Sequence, residues 1–282
     1  LLAGLSMARD QFLFIPGNHD MVRNNDDERE ELGNAAYFKS GDKIAKFMDK
    51  AIKNDDFLGM RRVEPYKTFE RNYYAGLPKD SFYSDIFGSA IKYNFGKESV
   101  GVCLINSSWR CYGELDKGQL LIGEEQLLRV LNLIQDCRIK IGLLHHPIDW
   151  ISLVEQEFIS THINKSLNIL LIGHVHENMT SVHTGLNHTS LFTNVAPSGL
   201  NDIRGDSRSF ANGFTVIDYN IDLRKIHCQY IKYNHSKISF LLNEDIGESG
   251  EFYCDIPNQS SAKEAQLIHR ALDQIKSDHF SE

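Results

Sequence analysis

Gly17, Asn18, His19 and Asp20 follow the apolar run of residues 12–16, so an amide oxygen, an imidazole and a carboxylate stand in consecutive positions. A short apolar run that ends at Pro16 and Gly17 reads as a buried strand stopping abruptly, which leaves the polar side chains in the loop at its carboxyl end. The arrangement recurs twice: residues 141–144 lead into His145-His146-Pro147, and residues 169–172 lead into Gly173-His174-Val175-His176. Ligands of open α/β sheets bind at the carboxyl edge of the strands. Three such strands bring imidazoles and an amide oxygen to one edge. That donor set suits a divalent metal, because neutral imidazole binds zinc, iron or manganese and an Asn oxygen is a harder ligand for the same ions. The one-residue spacing of His174 and His176 lets both rings face one cavity yet reach different ions. A two-metal centre, which clamps the attacking and leaving oxygens of a phosphoryl group, fits that spacing.

Taken together and in this order, GNHD, His145-His146-Pro147 and GHVH resemble the later motifs of the calcineurin-like metallophosphoesterases. The resemblance covers roughly residues 10–235 and implies two stacked mixed β-sheets flanked by helices, an α/β sandwich. It also implies a two-metal-activated hydroxide that cleaves a phosphoester, with two divalent ions (manganese, iron, zinc or similar) as cofactors. On that pattern Asn18, His145 and His174 bind the second metal and His176 binds the first. His19 contacts the phosphate and protonates the leaving group, and Asp20 orients its ring. Members of the family begin with an Asp-x-His motif and then a Gly-Asp motif whose Asp bridges the metals. Neither stands before Gly17, and residues 1–11 read as the end of a helix that would follow the Gly-Asp loop. The expectation is a chain lacking its first two strands; the rival reading is a degenerate family member acting as a non-catalytic interaction module.

Composition narrows the substrate. The net charge is −8, with 38 acidic against 30 basic residues, and the segments flanking the motifs (24–31 and 149–157) are neutral to acidic. A nonspecific nucleic-acid binder relies on Lys and Arg to neutralise phosphates. A small phosphodiester or nucleotide is therefore expected over DNA or RNA, a nuclease of the same superfamily being the alternative. No run approaches the roughly 18 apolar residues of a membrane-spanning helix. The five cysteines are scattered, odd in number and lack a CxxC pair, which fits a reduced cytoplasmic protein.

The elements that must position these groups follow from periodicity. The acidic stretch 26–31 reads as the start of a solvated helix, and residues 42–54, with Ile44, Phe47, Met48 and Ile52 on one face, as an amphipathic one. The aromatic-rich segment 64–87 is either a substrate-shaping cap or a loop packed over the sheet. Residues 91–95 and 100–106 read as a hairpin, with Asn106 either at the active edge or capping the next turn. Helices over 124–137 and near 151–163 precede the His145 and His174 strands, implying parallel crossovers. Residues 190–196, 213–219 and 225–233 read as antiparallel strands of a second sheet. Arg204 and Arg208 lie in a polar loop, either reaching a substrate phosphate or simply on the surface. His162, His183, His188, His227, His235, His269 and His279 lack motif context and read as surface or packing residues. A phosphoesterase domain is thus expected over 1–242. Residues 243–260 read as a linker, and 261–275, with Ala265, Ile268, Leu272 and Ile275 in one stripe, as a terminal helix that packs on the domain or begins a further one.

Overall fold

The computed structural model describes residues 7–22, 27–57, 59–113, 115–175, 179–184, 190–199 and 212–256. The expected α/β architecture is observed: a seven-stranded mixed sheet and a smaller second sheet, with helices flanking them. The first sheet has the order β1-β2-β3-β4-β5-β7-β6, formed by Phe82–Ser84 (β1), Ser89–Phe95 (β2), Glu98–Ile105 (β3), Ile139–Leu144 (β4), Ile169–Ile172 (β5), Met179–Thr184 (β6) and Ser190–Val195 (β7). The β2–β3 hairpin pairs Phe95 with Glu98 across a two-residue turn. Strands β3, β4, β5 and β7 are parallel, as the continuous apolar character of 139–144 and 169–172 requires of strands covered on both faces.

Here the structure corrects one expectation. Residues 190–196 belong to the first sheet, where β7 inserts between β5 and β6. Leu191, Phe192, Asn194 and Val195 are all buried, so the strand is covered on both faces like its parallel neighbours.

Helices α1 (Asp27–Tyr37), α2 (Gly41–Asn54), α3 (Glu64–Tyr73), α4 (Glu124–Leu133) and α5 (Gln156–Ser166) complete the described elements. In α2, Ile44, Met48 and Ala51 face the core while the lysines stay in water, as its period foretells. Burying Ile44 and Met48 stabilises the fold by about 1.5–3 kcal/mol each. The helix crosses the start of α4 so closely that a Cβ on Gly123 would lie 1.9 Å from Met48 Sδ. Helices α4 and α5 follow β3 and β4, supplying the crossovers to the next parallel strand.

The run 12–16 is extended but forms no ladder among the described residues. Its side chains still alternate: Leu13 and Ile15 pack with Ile91, Val102 and Leu104 of the sheet, while Phe14 packs against Tyr66, Phe69, Tyr73 and Tyr74 from α3 and its C-terminal end. Side chains take the role of the missing neighbour. Tyr74 Oη donates to the Phe12 carbonyl at 2.9 Å and also meets the Phe14 N–H. Tyr66 Oη donates to the Phe14 carbonyl and Ser108 Oγ to the Pro16 carbonyl. The segment 64–87 is therefore neither a plain loop nor only a cover, since it contains α3 and β1 and braces the strand-like run.

The second sheet is built on β9 (Lys225–Asn234). Strand β8 (Gly213–Asn220) runs along it from Lys225 to Lys232, while β10 (Ser239–Leu242) and β11 (Glu251–Asp255) also pair with it at its two ends. Its inward residues Ile226, Cys228 and Tyr230 pack with Ile169 and Phe192 of the first sheet. Strand β11 lies within the stretch expected to be a linker. Phe252 and Cys254 alternate inward against Tyr253 and Asp255, a period masked in the sequence by the flanking acidic and glycine residues. The expected terminal helix lies outside the described residues, as do Arg204 and Arg208.

Candidate metal centre

Two of the three motif strands are present as β4 and β5, parallel neighbours in register from Ile141–Ile169 to Leu144–Ile172, so His145 and Gly173-His174 leave the sheet side by side. The extended run 12–16 delivers Asn18 to the same place. Asn18 Oδ1 and His174 Nδ1 each lie 3.2 Å from His145 Nε2. Two ligand atoms bound to one ion at about 2.0–2.1 Å stand roughly 2.9–3.4 Å apart in octahedral or tetrahedral geometry, a range that includes both separations.

Backbone geometry serves that convergence. A Cβ on Gly17 would sit 2.9 Å from His145 Cε1, and one on Gly173 3.3 Å from His145 Nδ1, so the motif glycines make the walls on which the ring rests. His174 is held at φ +70°, a left-handed conformation costly for a side chain of this size, with Val175 N–H bonded to the Gly173 carbonyl.

His146 also lies within metal-ligating range of His145 and His174, but its bonds assign it another role. Ser107 Oγ accepts the His146 backbone N–H at 3.2 Å and sits 2.9 Å from Nδ1, while Cys111 Sγ lies 3.7 Å from Nε2. Both ring nitrogens therefore have protein partners, Ser107 and Cys111. The ring is fully buried, and burial, followed by its neighbours His145 and His174, pushes its pKa down to about 2. His146 is a neutral packing group against the rings of His145 and His174, 4.6 Å and 4.5 Å from them between centroids. Trp150 completes this layer, 4.2 Å from His174 and 5.6 Å from His146.

His19 and Asp20 occupy an exposed 3-10 turn, Asn18–Asp20, beside the cluster. The Asp20 carboxylate accepts the Gly17 N–H at 2.8 Å and closes that turn. His176 lies outside the described residues. Asn106 accepts the Ser108 N–H at 2.8 Å, the turn-capping role, and its own N–H is bonded by Gln126 Oε1. Of the remaining histidines, His162 packs against Phe158, and His227 stacks on Tyr253 and bonds Glu251. Ser107, Cys111 and Trp150 carry no motif signal. The one available hint was that 107–111 and 150 directly follow strand β3 and the His145 motif, at the same sheet edge.

No protein-family model matches the chain, and no curated protein matches it. Among solved structures, a Staphylococcus aureus protein described as a candidate 5′-nucleotidase, crystallised with alpha-ketoglutarate, aligns with 69% of this chain and 36% of its own at 12% identity and a TM-score of 0.26. The chain thus spans little more than a third of that protein's length, and a likeness at that score adds nothing to the geometry above.

Proposed function

We propose that the chain carries a calcineurin-like metallophosphoesterase domain, a hydrolase of phosphoester bonds. The observation that carries this reading is the convergence of Asn18 Oδ1, His145 Nε2 and His174 Nδ1 at one strand edge. When bound, divalent ions there would polarise the phosphoryl group and supply hydroxide near neutral pH. The chain's own residues do the rest. Asn18, His145 and His174 would hold one ion, and the family resemblance gives His176 to the other. Exposed on its turn, His19 protonates the leaving oxygen, while Asp20 fixes the turn that presents it. The phosphoesterase domain takes in residues 1–242 together with β11, which pairs with β9, and the net charge of −8 favours a small phosphodiester or nucleotide over nucleic acid. Among the described residues no helix is long and apolar enough to cross a membrane. All five cysteines are free, which supports a reducing compartment such as the cytoplasm.

Metal titration tests the assignment. The chain should bind one manganese or zinc ion through the three named residues, His145→Ala should abolish binding, and Asn18→Ala should weaken it at least tenfold. Phosphoesterase activity should vanish on chelation. A chain that binds no ion, or hydrolysis indifferent to chelator, refutes the reading.

A further inference from the structure

Trp150 stands out beside the metal centre as a large aromatic side chain that is half-buried instead of sealed in the core. Its indole meets His174 edge to face at 4.2 Å and an interplanar angle of 80°, and it lies nearly parallel to the buried His146 ring at 5.6 Å and 29°. The ring is thus backed by the layer beneath the ligating histidines. Lys117 Nζ lies over the indole, 5.9 Å from its centroid, and also pairs with Asp149 at 3.3 Å. Lys117 and Asp149 are both well exposed, so that pair is weak and leaves the ammonium available to an incoming anion. An exposed cation–π contact likewise gives way to a better partner. The backbone fixes the platform: Gly118 and Leu120 N–H groups donate to the Trp150 carbonyl, and Trp150 N–H donates to Pro147. A ring set in advance binds with little ordering cost.

From this arrangement we infer that Trp150 is a substrate-contacting residue whose ring stacks the aromatic part of a nucleotide-like phosphoester, with Lys117 drawing its negative charge to the site. The inference rests on the metal-centre reading for where the phosphate goes. A π face from which the exposed Lys117 can move aside accepts any base, so it selects for an aromatic group without selecting among bases. Sugar phosphates and alkyl phosphoesters lack the stacking partner and should bind more weakly.

Fluorescence titration decides the matter, because the chain has two tryptophans and the other, Trp109, is 1% exposed. AMP should quench the emission and bind about tenfold more tightly than ribose 5-phosphate. Followed by calorimetry, because these variants lack the reporting ring, Trp150→Leu should erase that preference by weakening AMP alone, and Trp150→Phe should retain most of it. Lys117→Ala should weaken both ligands, more at low salt than at high. Equal affinity for the two ligands, or a preference unchanged in Trp150→Leu, overturns the proposal, as does failure to bind either. If AMP and adenosine both quench in chelator and manganese neither binds nor tightens AMP, the platform stands and the metal reading falls. If both phosphates bind equally and only with manganese, the metal reading stands and the platform falls.

Discussion

At the scale of single residues, the centre depends on what Gly17 lacks. A methyl group there would press on His145 Cε1 and Nε2, at 2.9 and 3.1 Å, and the backbone behind it is tied to Asp20. Gly17→Ala should therefore lower metal affinity at least tenfold while costing about 1–3 kcal/mol of stability; paired metal titration and thermal unfolding would show a normal affinity if the ring could move aside. His19 separates binding from chemistry. His19→Ala should leave metal content nearly intact and slow poor leaving groups by about 10²- to 10⁴-fold, with activated aryl esters losing much less. Metal loss, or equal slowing of both ester types, would contradict a proton-donor role. The identities of Asn18, His145 and His174 were legible in the sequence because each follows an apolar run. The neutrality of His146 was not, since it arises from burial among residues distant in the chain, Ser107 and Cys111 among them.

At the scale of elements, two buried polar groups lock helices in place. Glu155, at the N-terminal end of α5, accepts the Ile122 and Gly123 N–H groups ahead of α4. Burial pushes its carboxyl up to about 7, outweighing those N–H bonds, which favour the ionised form. Between the ordinary value of 4.5 and about 7 the folded chain keeps a proton that the unfolded chain has released, so this contribution to stability is full at low pH and is lost as pH rises through the window. Denaturant unfolding of the native chain and Glu155→Gln at pH 5 and pH 8 should show their stability difference shift against the native chain by up to about 3 kcal/mol; a pH-independent difference would place the titration elsewhere. In α3, Lys67 (1% exposed) and Glu70 (2% exposed) form an ion pair, and the hydroxyls of Ser84 and Ser89 donate to the same carboxylate. Lys67→Met should cost about 3–5 kcal/mol, because it strands the Glu70 charge; a near-neutral effect in chemical denaturation would mean that the serines alone satisfy it. Helix α2 and the β2–β3 hairpin were readable from periodicity, which is local information. Strand β7 was not: its sequence suits either sheet, and only its insertion beside β5 decides between them.

At the scale of the whole molecule, the parallel strands set the metal centre at their carboxyl edge and the second sheet packs against the opposite reach of β5 and β7, through Ile169 and Phe192. Support for the centre is therefore uneven. His145 and His174 stand on β4 and β5 in the middle of a seven-stranded ladder. Asn18 hangs from the run 12–16, whose carbonyls are held by Tyr66, Tyr74 and Ser108 side chains. Such a tether opens with the helix that carries it, at far less than the free energy of global unfolding. The amides of Leu13 and Ile15 should then exchange with solvent deuterium orders of magnitude faster than those of β4. Bound metal should slow the former and leave the latter nearly unchanged, so that release of the ion keeps time with the loosening of α3.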